Sequence, residues 1–184
     1  ANTLPSSFYK SSETFSNVKD NIFLKCWHFI GDENSLIPLT NSAHPFILLD
    51  NFLSEPMVLV RNDKDEIKCF SNVCTHRGNI IINDSGKYRN LICGYHGRKF
   101  DLNGKFKSMP EFQKAKDFPS ECDHLQEFKI EKLGPFLFAG INPKFEINDT
   151  IKIMNERIGF LPINQFKLDD NKSKDYLVNS NWAL

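Results

Sequence analysis

The sequence lacks an excess of charge of either sign and lacks long hydrophobic runs. Its 184 residues carry 23 Lys and Arg against 23 Asp and Glu, so the formal net charge is zero. A protein without a strongly positive field is unlike the nucleic-acid-binding class. The apolar stretches are strand-sized, and residues 1–10 lack the basic start and apolar core of a signal peptide. We therefore expect no nucleic-acid partner, no membrane partner and a cytoplasmic location.

The number of cysteines argues against one class of small protein. Five cysteines are an odd number, which does not suit a disulfide framework. Cys26, Cys69 and Cys122 stand in apolar or mixed surroundings without the spacing of metal ligands, so we expect buried free thiols there. With 40% hydrophobic residues and 17 Phe, the chain has enough apolar material for one domain or slightly more.

Hydrophobic periodicity predicts a mainly β chain with helices towards both ends. Apolar residues at helical spacing indicate helices over residues 12–26 and about 149–160, and residues 167–175 form a charged, linker-like stretch. Residues 62–65 and the pair Asn103–Gly104 predict hairpin turns. Short β-rich runs predict strands over residues 44–50, 56–61, 66–73, 127–133, 136–141 and 176–184.

Two cysteine–histidine pairs carry the chemistry of the sequence. Cys74 and His76 form a C-x-H pair, and Cys93 and His96 form a C-x-x-H pair. Two thiolates and two imidazoles suit a 2Fe–2S cluster of the Rieske type, in which two His replace two Cys on one iron. Such a cluster carries one electron at a time, so these residues predict redox chemistry. Glycines that allow tight turns and close approach of backbone N–H groups accompany the pairs: Gly78, Gly94 and Gly97.

A single zinc ion is the alternative occupant of these donors, because Cys₂His₂ sites also hold zinc. A zinc finger usually pairs two Cys in one knuckle and two His in the other, whereas each pair here is mixed. The mixed spacing favours a cluster held by Cys74, His76, Cys93 and His96. A zinc-stabilised binding module stays open as a further reading of the same donors.

The residues around the two pairs resemble the Rieske-type non-haem iron ring-hydroxylating oxygenases, in the N-terminal half of their α subunit. The resemblance implies a Rieske iron–sulfur fold, with antiparallel β sheets, a cluster-binding subdomain of two hairpin loops, and flanking N-terminal and C-terminal helices. It also implies a helical segment over 1–40, a Rieske 2Fe–2S domain over 41–145, and a helix, linker and first strand of a truncated catalytic domain over 146–184. The segments that carry it include CTHRG at 74–78, CGYHG at 93–97, IFLKCWHFIG at 22–31, LGPFLFAGINP at 133–143 and NSNWAL at 179–184.

The sequence departs from this family at Arg98, where the family usually has Trp, and at Ala183, where it often has Lys. Respiratory and photosynthetic Rieske proteins are a neighbouring group with a disulfide beside the cluster. The corresponding positions here are Asn79 and Tyr95, so that bridge cannot form. We therefore expect a reduction potential in the lower part of the Rieske range of about −150 to +300 mV.

The resemblance implies electron transfer from a reductase or ferredoxin, through the cluster, to a mononuclear Fe(II) that hydroxylates an organic substrate with O₂. It also implies a homo-oligomer, a trimer, when the protein is full length. That iron is held by two His and one carboxylate. His28, His44 and His124 lack this spacing, so we expect them to be structural or surface residues. The sequence thus predicts no catalytic residue here, with the oxygen-activating site outside this chain.

One alternative function stays open. A free-standing Rieske-type ferredoxin is the alternative to an oxygenase, but such carriers are shorter and lack counterparts of residues 12–26 and 176–184.

Two arginines, Arg77 and Arg98, flank the predicted ligands. We expect both to be solvated surface residues, with recognition of an acidic redox partner as the alternative role.

Overall fold

Runs of β-branched and aromatic residues form antiparallel sheets across the middle of the chain. The structure is a computed structural model that describes residues 3–112, 114–169 and 171–183. Within them a seven-stranded sheet has the order β1 (His28–Asp32), β10 (Phe136–Gly140), β9 (Glu127–Leu133), β4 (Ile67–Ser71), β3 (Glu55–Arg61), β2 (Ser42–Leu48) and β5 (Gly86–Lys87). A three-stranded sheet has the order β6 (Leu91–Ile92), β7 (Lys99–Phe100) and β8 (Phe106–Ser108).

The mainly β prediction is confirmed, and most strand boundaries lie close to the predicted ones. Residues 127–133 form β9 as predicted, and the turn after β3 joins it to β4 in an antiparallel hairpin. Residues 176–183 are the exception, because they form no strand in the structure. They have apolar, strand-like residues, but no neighbouring strand hydrogen-bonds to them, and an isolated strand is not stable in water.

Strand β3 is buried on both faces and divides the core in two. Met57, Val58, Leu59 and Val60 are all completely buried. Side chains alternate across a strand, so Met57 and Leu59 face one core cluster and Val58 and Val60 face the other. The second cluster also contains Cys74 and Cys93. The core of the large sheet therefore extends directly to the two cysteines of the cysteine–histidine pairs.

The helices lie towards the chain's two ends. They are α1 (Ser6–Lys10), α2 (Ser12–Asn21), α3 (Glu33–Leu36) and α4 (Asn148–Ile158). Two of them, α2 and α4, match the helices predicted from periodicity. The side chain of Ser11 accepts a hydrogen bond from the backbone of Thr14 and caps α2. The helix predicted over residues 12–26 is too long, because α2 ends at Asn21 and a 3₁₀ turn follows at Phe23–Lys25. No helix among the described residues has the length and apolar content needed to cross a bilayer.

The small sheet packs on the large one at the predicted Asn103–Gly104 turn between β7 and β8. Gly104 has a φ of +73°, a conformation that L side chains rarely adopt. A Cβ added there would lie 2.6 Å from the Cε1 atom of Phe70, which is buried in β4. The backbone of Gly104 therefore touches the large sheet directly, and this contact positions the small sheet and its loop.

Candidate metal centre

The two cysteine–histidine pairs lie on two loops with the same backbone hydrogen bonds. The first loop is residues 74–79, and the second loop is residues 93–98. In each, the cysteine N–H donates to the carbonyl five residues on, at 2.8 Å in the first loop and 2.9 Å in the second. In each, the glycine N–H four residues after the cysteine donates back to the cysteine carbonyl at 3.0 Å. Both glycines, Gly78 and Gly97, have a φ of +70°.

The glycine requirement predicted for these loops therefore applies to Gly78 and Gly97, which have left-handed backbone. Gly94 differs, because its φ does not lie in the positive region. A Cβ added to Gly94 would meet no protein atom within 4 Å, and the residue is exposed. The backbone conformation therefore does not require glycine at this position.

The first loop is attached to the large sheet by Asn72, a buried residue that the sequence analysis did not single out. Its backbone N–H donates to Pro56 at 2.9 Å, and its carbonyl accepts from Ile81 at 3.0 Å. Its side-chain amide donates to the carbonyl of Ile82 at 2.7 Å and accepts from the Ile82 N–H at 3.0 Å. Asn72 thus joins both ends of the first loop to β3. The second loop closes the hairpin formed by β6 and β7.

The structure brings the four predicted ligand residues together. Cys74 and Cys93 are 3% and 2% exposed, and both belong to the same core cluster. The rings of His76 and His96 lie edge to face with their centroids 4.8 Å apart. Both imidazoles are half-buried, while Tyr95 between the second cysteine and His96 is exposed. The two thiols thus lie in the interior, and the two imidazoles are partly exposed to solvent.

The surroundings of Cys93 favour its thiolate. Burial raises the pKa of the Cys93 thiol, but the backbone N–H groups of Tyr95 and His96, the Cys74 thiol and the side chain of Asn79 outweigh burial and lower it. The Asn79 amide donates to the Cys93 sulfur at 3.7 Å, across from the first loop to the second. Burial raises the pKa of Cys74, against a backbone hydrogen bond from His76 and the charge of Arg98. Of the two sulfurs, Cys93 has the richer set of hydrogen-bond donors.

The residues fit a [2Fe–2S] cluster on two observations. His96 Nδ1 is buried and has no hydrogen-bond partner among the described residues, and buried polar atoms without partners are rare. An imidazole nitrogen of this kind is available to a metal. The donors brought together are two buried thiols and two neighbouring imidazoles. This set matches a Rieske cluster, in which each iron takes two protein ligands.

Arg98 does not lie on the surface, and that expectation is wrong. The residue is 3% exposed, and its guanidinium donates to the carboxylate of Asp123. Burial at an ion pair excludes contact with an acidic redox partner. Arg77, in contrast, is exposed. The difference could not be read from the sequence, because Asp123 lies 25 residues further along the chain, in a stretch without periodic pattern.

A largely irregular segment after the β7–β8 turn packs against both loops. Residues 107–112 and 114–124 form this covering segment, which begins in β8 and contains a 3₁₀ turn at Glu121–Asp123. The ring of Phe112 lies 5.7 Å from that of His76. A Cβ on Gly97 would lie 3.3 Å from Cγ of Pro110. The covering segment thus contacts both the first and the second loop.

The remaining cysteines and histidines differ in burial and in hydrogen-bond partners. Cys69 is buried, and burial raises its pKa to about 12, so it stays a thiol. The expectation of burial is wrong for Cys122, which is exposed, and Cys26 is half-buried. The other histidines each make a local hydrogen bond: His28 with the Phe23 carbonyl, His44 with the Ser85 hydroxyl and His124 with the Phe106 N–H.

Comparisons with known proteins identify the domain. Residues 47–119 match the family of the Rieske [2Fe-2S] domain. The chain is 29% identical over 142 residues to the carnitine monooxygenase oxygenase subunit of Escherichia coli (strain K12), covering 77% of this chain and 37% of that protein. It is 26% identical over 187 residues to the glycine betaine monooxygenase oxygenase subunit of Chromohalobacter salexigens, covering 99% of this chain and 40% of that protein.

A solved structure agrees with these sequence relatives. It is a quaternary ammonium Rieske monooxygenase, described for carnitine oxidation and inter-subunit electron transfer. The two chains have a TM-score of 0.72 and are 26% identical, and the match covers 85% of this chain and 43% of that one. This chain spans less than half the length of each of these three proteins. It contains a Rieske [2Fe-2S] domain, the kind that carries a 2Fe–2S cluster, and its similarity is to the Rieske half of oxygenase α subunits.

Proposed function

We propose that Cys74, His76, Cys93 and His96 hold the [2Fe–2S] cluster and that this chain is the electron-transfer part of an oxygenase. The observation that carries the proposal is the convergence of two buried thiols and two half-buried imidazoles from loops of matching backbone. When bound, the cluster accepts and gives up one electron at a time. By the Rieske pattern, Cys74 and Cys93 would bind one iron, and His76 and His96 would bind the other.

The residues of the chain prepare the site in two ways. Cys74 and Cys93 belong to a buried apolar cluster that also contains side chains of β3 and β7. This cluster excludes water from the side of the site where the two sulfurs lie. The donors around Cys93 stabilise negative charge on its sulfur. His96 Nδ1, buried without a protein partner, is the nitrogen that we assign to iron in the second loop.

We propose that redox partners meet the molecule at the two imidazoles. They are half-buried, and the exposed Tyr95 lies beside them with its ring centroid 3.8 Å from that of His96. We infer that an electron-donating reductase or ferredoxin approaches here. In a homo-oligomer the neighbouring subunit meets the same surface, which the inter-subunit electron transfer described for the related monooxygenase supports.

For the whole oxygenase we propose the organisation that the resemblance implies. Residues 1–40 form a helical segment, 41–145 the Rieske domain, and 146–184 the connection to a catalytic domain whose mononuclear iron lies outside this chain. We propose a quaternary ammonium compound as substrate, because the related oxygenase subunits act on carnitine and glycine betaine. An in-frame extension beyond codon 184 with two His and an Asp or Glu supports this organisation. A stop codon in the native gene would contradict it and favour a Rieske-type ferredoxin.

The cluster proposal is tested on the chain itself. After anaerobic reconstitution with iron and sulfide, we expect a red-brown protein with visible absorption, equal amounts of iron and sulfide, and an electron paramagnetic resonance signal after reduction. The C122S variant removes an exposed cysteine that is not one of the four proposed ligands and should give the same spectra. A colourless protein that binds zinc under the same conditions would overturn the proposal.

A further inference from the structure

We propose that Arg98 is a positioning residue that joins the second loop to the first through Asp123 and holds a fixed positive charge beneath the cluster site. This inference rests on the proposed function of the four ligands. It concerns a residue that is neither a ligand nor a surface contact. Arg98 is the last residue of the second loop, five positions after Cys93 and two after His96.

The bridge runs through three segments of the chain. The Arg98 guanidinium donates to the Asp123 carboxylate, and the backbone carbonyl of Asp123 accepts from the Thr75 hydroxyl at 2.9 Å. Thr75 lies between the predicted ligands Cys74 and His76 in the first loop. The other carboxylate oxygen of Asp123 accepts from the N–H and hydroxyl of Ser120 at 2.7 and 3.0 Å. One residue of the covering segment therefore fixes both loops, and Asp123 is itself held from a third side.

The guanidinium is charged and enclosed by aromatic rings. Its Cζ lies 5.0 Å from the ring centroid of Phe106, 5.5 Å from that of Phe118 and 6.0 Å from that of Phe100. Arginine stays protonated in proteins, and rings at these distances attract a cation. The side chain is 3% exposed, so water screens its charge poorly. Arg98 is thus held in one place by an ion pair on one side and aromatic faces around it.

The charge of Arg98 lies where the two loops are joined. Arg98 ends the second loop, and its partner Asp123 accepts a hydrogen bond from Thr75 of the first loop. In addition, Arg98 Nε is buried without a hydrogen-bond partner among the described residues, as is His96 Nδ1. The second loop therefore contains one unpaired donor and one unpaired ring nitrogen, which is the arrangement expected where a bound group completes the site.

The consequence is electrostatic as well as structural. One-electron reduction, with the electron supplied by an electrode, adds one negative charge at the cluster site. A fixed cation near that site favours the reduced form and raises the reduction potential. Asp123 opposes this effect with its own negative charge. Removal of the Arg98 charge should therefore lower the reduction potential, and removal of the Asp123 charge should raise it. Both changes disrupt the same ion pair.

The experiment compares R98M, R98K, D123N and the wild type, each reconstituted as described above. Square-wave voltammetry measures the potential, and a ferrous chelator measures the rate of iron release. We expect R98M to lower the potential and D123N to raise it. Loss of a residue that orients ligands typically costs about 10–100-fold in metal affinity, so both variants should release iron faster by a similar factor. R98K should keep the wild-type potential because it keeps the charge, but release iron faster because Lys lacks the planar fork.

R61M is the matched control. Arg61 is also a mostly buried arginine paired with an aspartate, Asp65, at 2.6 Å, but it lies on β3 in the large sheet. R61M should change neither the reduction potential nor the rate of iron release. A shift of the potential in the same direction in R98M and D123N, or wild-type values in both, would overturn the inference while the cluster proposal stands. Should R98M not fold, R98K decides, because a wild-type release rate in R98K contradicts the bridge. A wild type without a Rieske spectrum overturns both proposals.

Discussion

The first and second loops share one backbone design but are held by different side chains. Each has the same two backbone hydrogen bonds and a glycine with φ of +70° at the same position. The first loop is attached to the large sheet by the buried amide of Asn72. The second is attached to the covering segment by the buried guanidinium of Arg98. The two loops therefore position the proposed ligands with the same backbone conformation. Different side chains, Asn72 and Arg98, attach the two loops to the rest of the fold.

The fifth residue after each cysteine shows the contrast most directly. Asn79 in the first loop is exposed and donates across to the sulfur of Cys93. Arg98 in the second loop is buried and turned towards Asp123. Asn79 thus contacts a predicted ligand in the other loop, whereas Arg98 contacts a buried partner in the covering segment. Equivalent backbone positions do not imply equivalent roles, and variants at paired positions separate the two.

The largest expected effect comes from removal of either cysteine. In C74S or C93S one iron loses one of its two protein ligands, because a serine hydroxyl is a poor substitute for a thiolate. We expect both variants to be colourless after reconstitution, measured by visible absorption and iron content, while C122S behaves as the wild type. Retention of the spectrum in one of the two would show that the loops do not contribute equally and would contradict the four-ligand assignment.

The two equivalent glycines give the next largest effect. An L residue in left-handed backbone costs about 1–2 kcal/mol, so G78A and G97A should both lower the free energy of unfolding of the cluster-free protein. G97A should cost more, because its Cβ would lie 3.3 Å from Pro110, whereas a Cβ at Gly78 meets nothing within 4 Å. G94A, with ordinary backbone and open space, is the control and should be close to neutral.

Urea unfolding measures these three variants. An equal loss of stability in G78A and G97A would show that Pro110 moves away from the added Cβ without a loss of unfolding free energy. A large loss of stability in G94A would contradict the conclusion that Gly78 and Gly97 have a positive φ and Gly94 does not.

The sequence allowed the ligand pairs and most strands to be predicted, because both depend on local patterns. The spacing of Cys74, His76, Cys93 and His96 is local, and the alternation in residues 127–133 is local as well. Their assignment as ligands stays a prediction that reconstitution tests. The burial of Arg98 depends on Asp123, 25 residues away, and no periodic pattern marks that pairing. The strand expected over residues 176–184 failed for a similar reason, because a strand requires a neighbour and not only suitable residues.

Acidification tests the bridge on the side of the second loop, with a smaller expected effect. Burial raises the pKa of Asp123, but Ser120 and the Arg98 guanidinium outweigh burial and hold that pKa below its usual value. The unfolded-state pKa of Asp is about 3.9. The carboxylate therefore stabilises the fold fully above that pH, and this contribution is lost as the pH falls through the lower folded pKa.

We expect the wild type to lose stability below about pH 4, as measured by urea unfolding of the cluster-free protein between neutral and acid pH. D123N should be less stable at neutral pH and should lose less over the acid window. D63N removes an exposed carboxylate in the β3–β4 turn and should follow the wild-type curve. A D123N curve parallel to that of the wild type would show that Asp123 contributes nothing to the acid loss.

The smallest effect is expected at the counterpart of Arg98 in the first loop. N79A removes the side-chain amide that donates to the Cys93 sulfur at 3.7 Å, a long and weak hydrogen bond. Hydrogen bonds to the sulfurs help to set the potential of iron–sulfur clusters, and their loss disfavours the more negative, reduced form. N79A should therefore lower the reduction potential slightly and leave the iron-release rate unchanged. N83A, at an exposed asparagine four residues further along the chain, should alter neither. A rise in the potential, or release as fast as in R98M, would mean that Asn79 supports the loops in the way that Arg98 does.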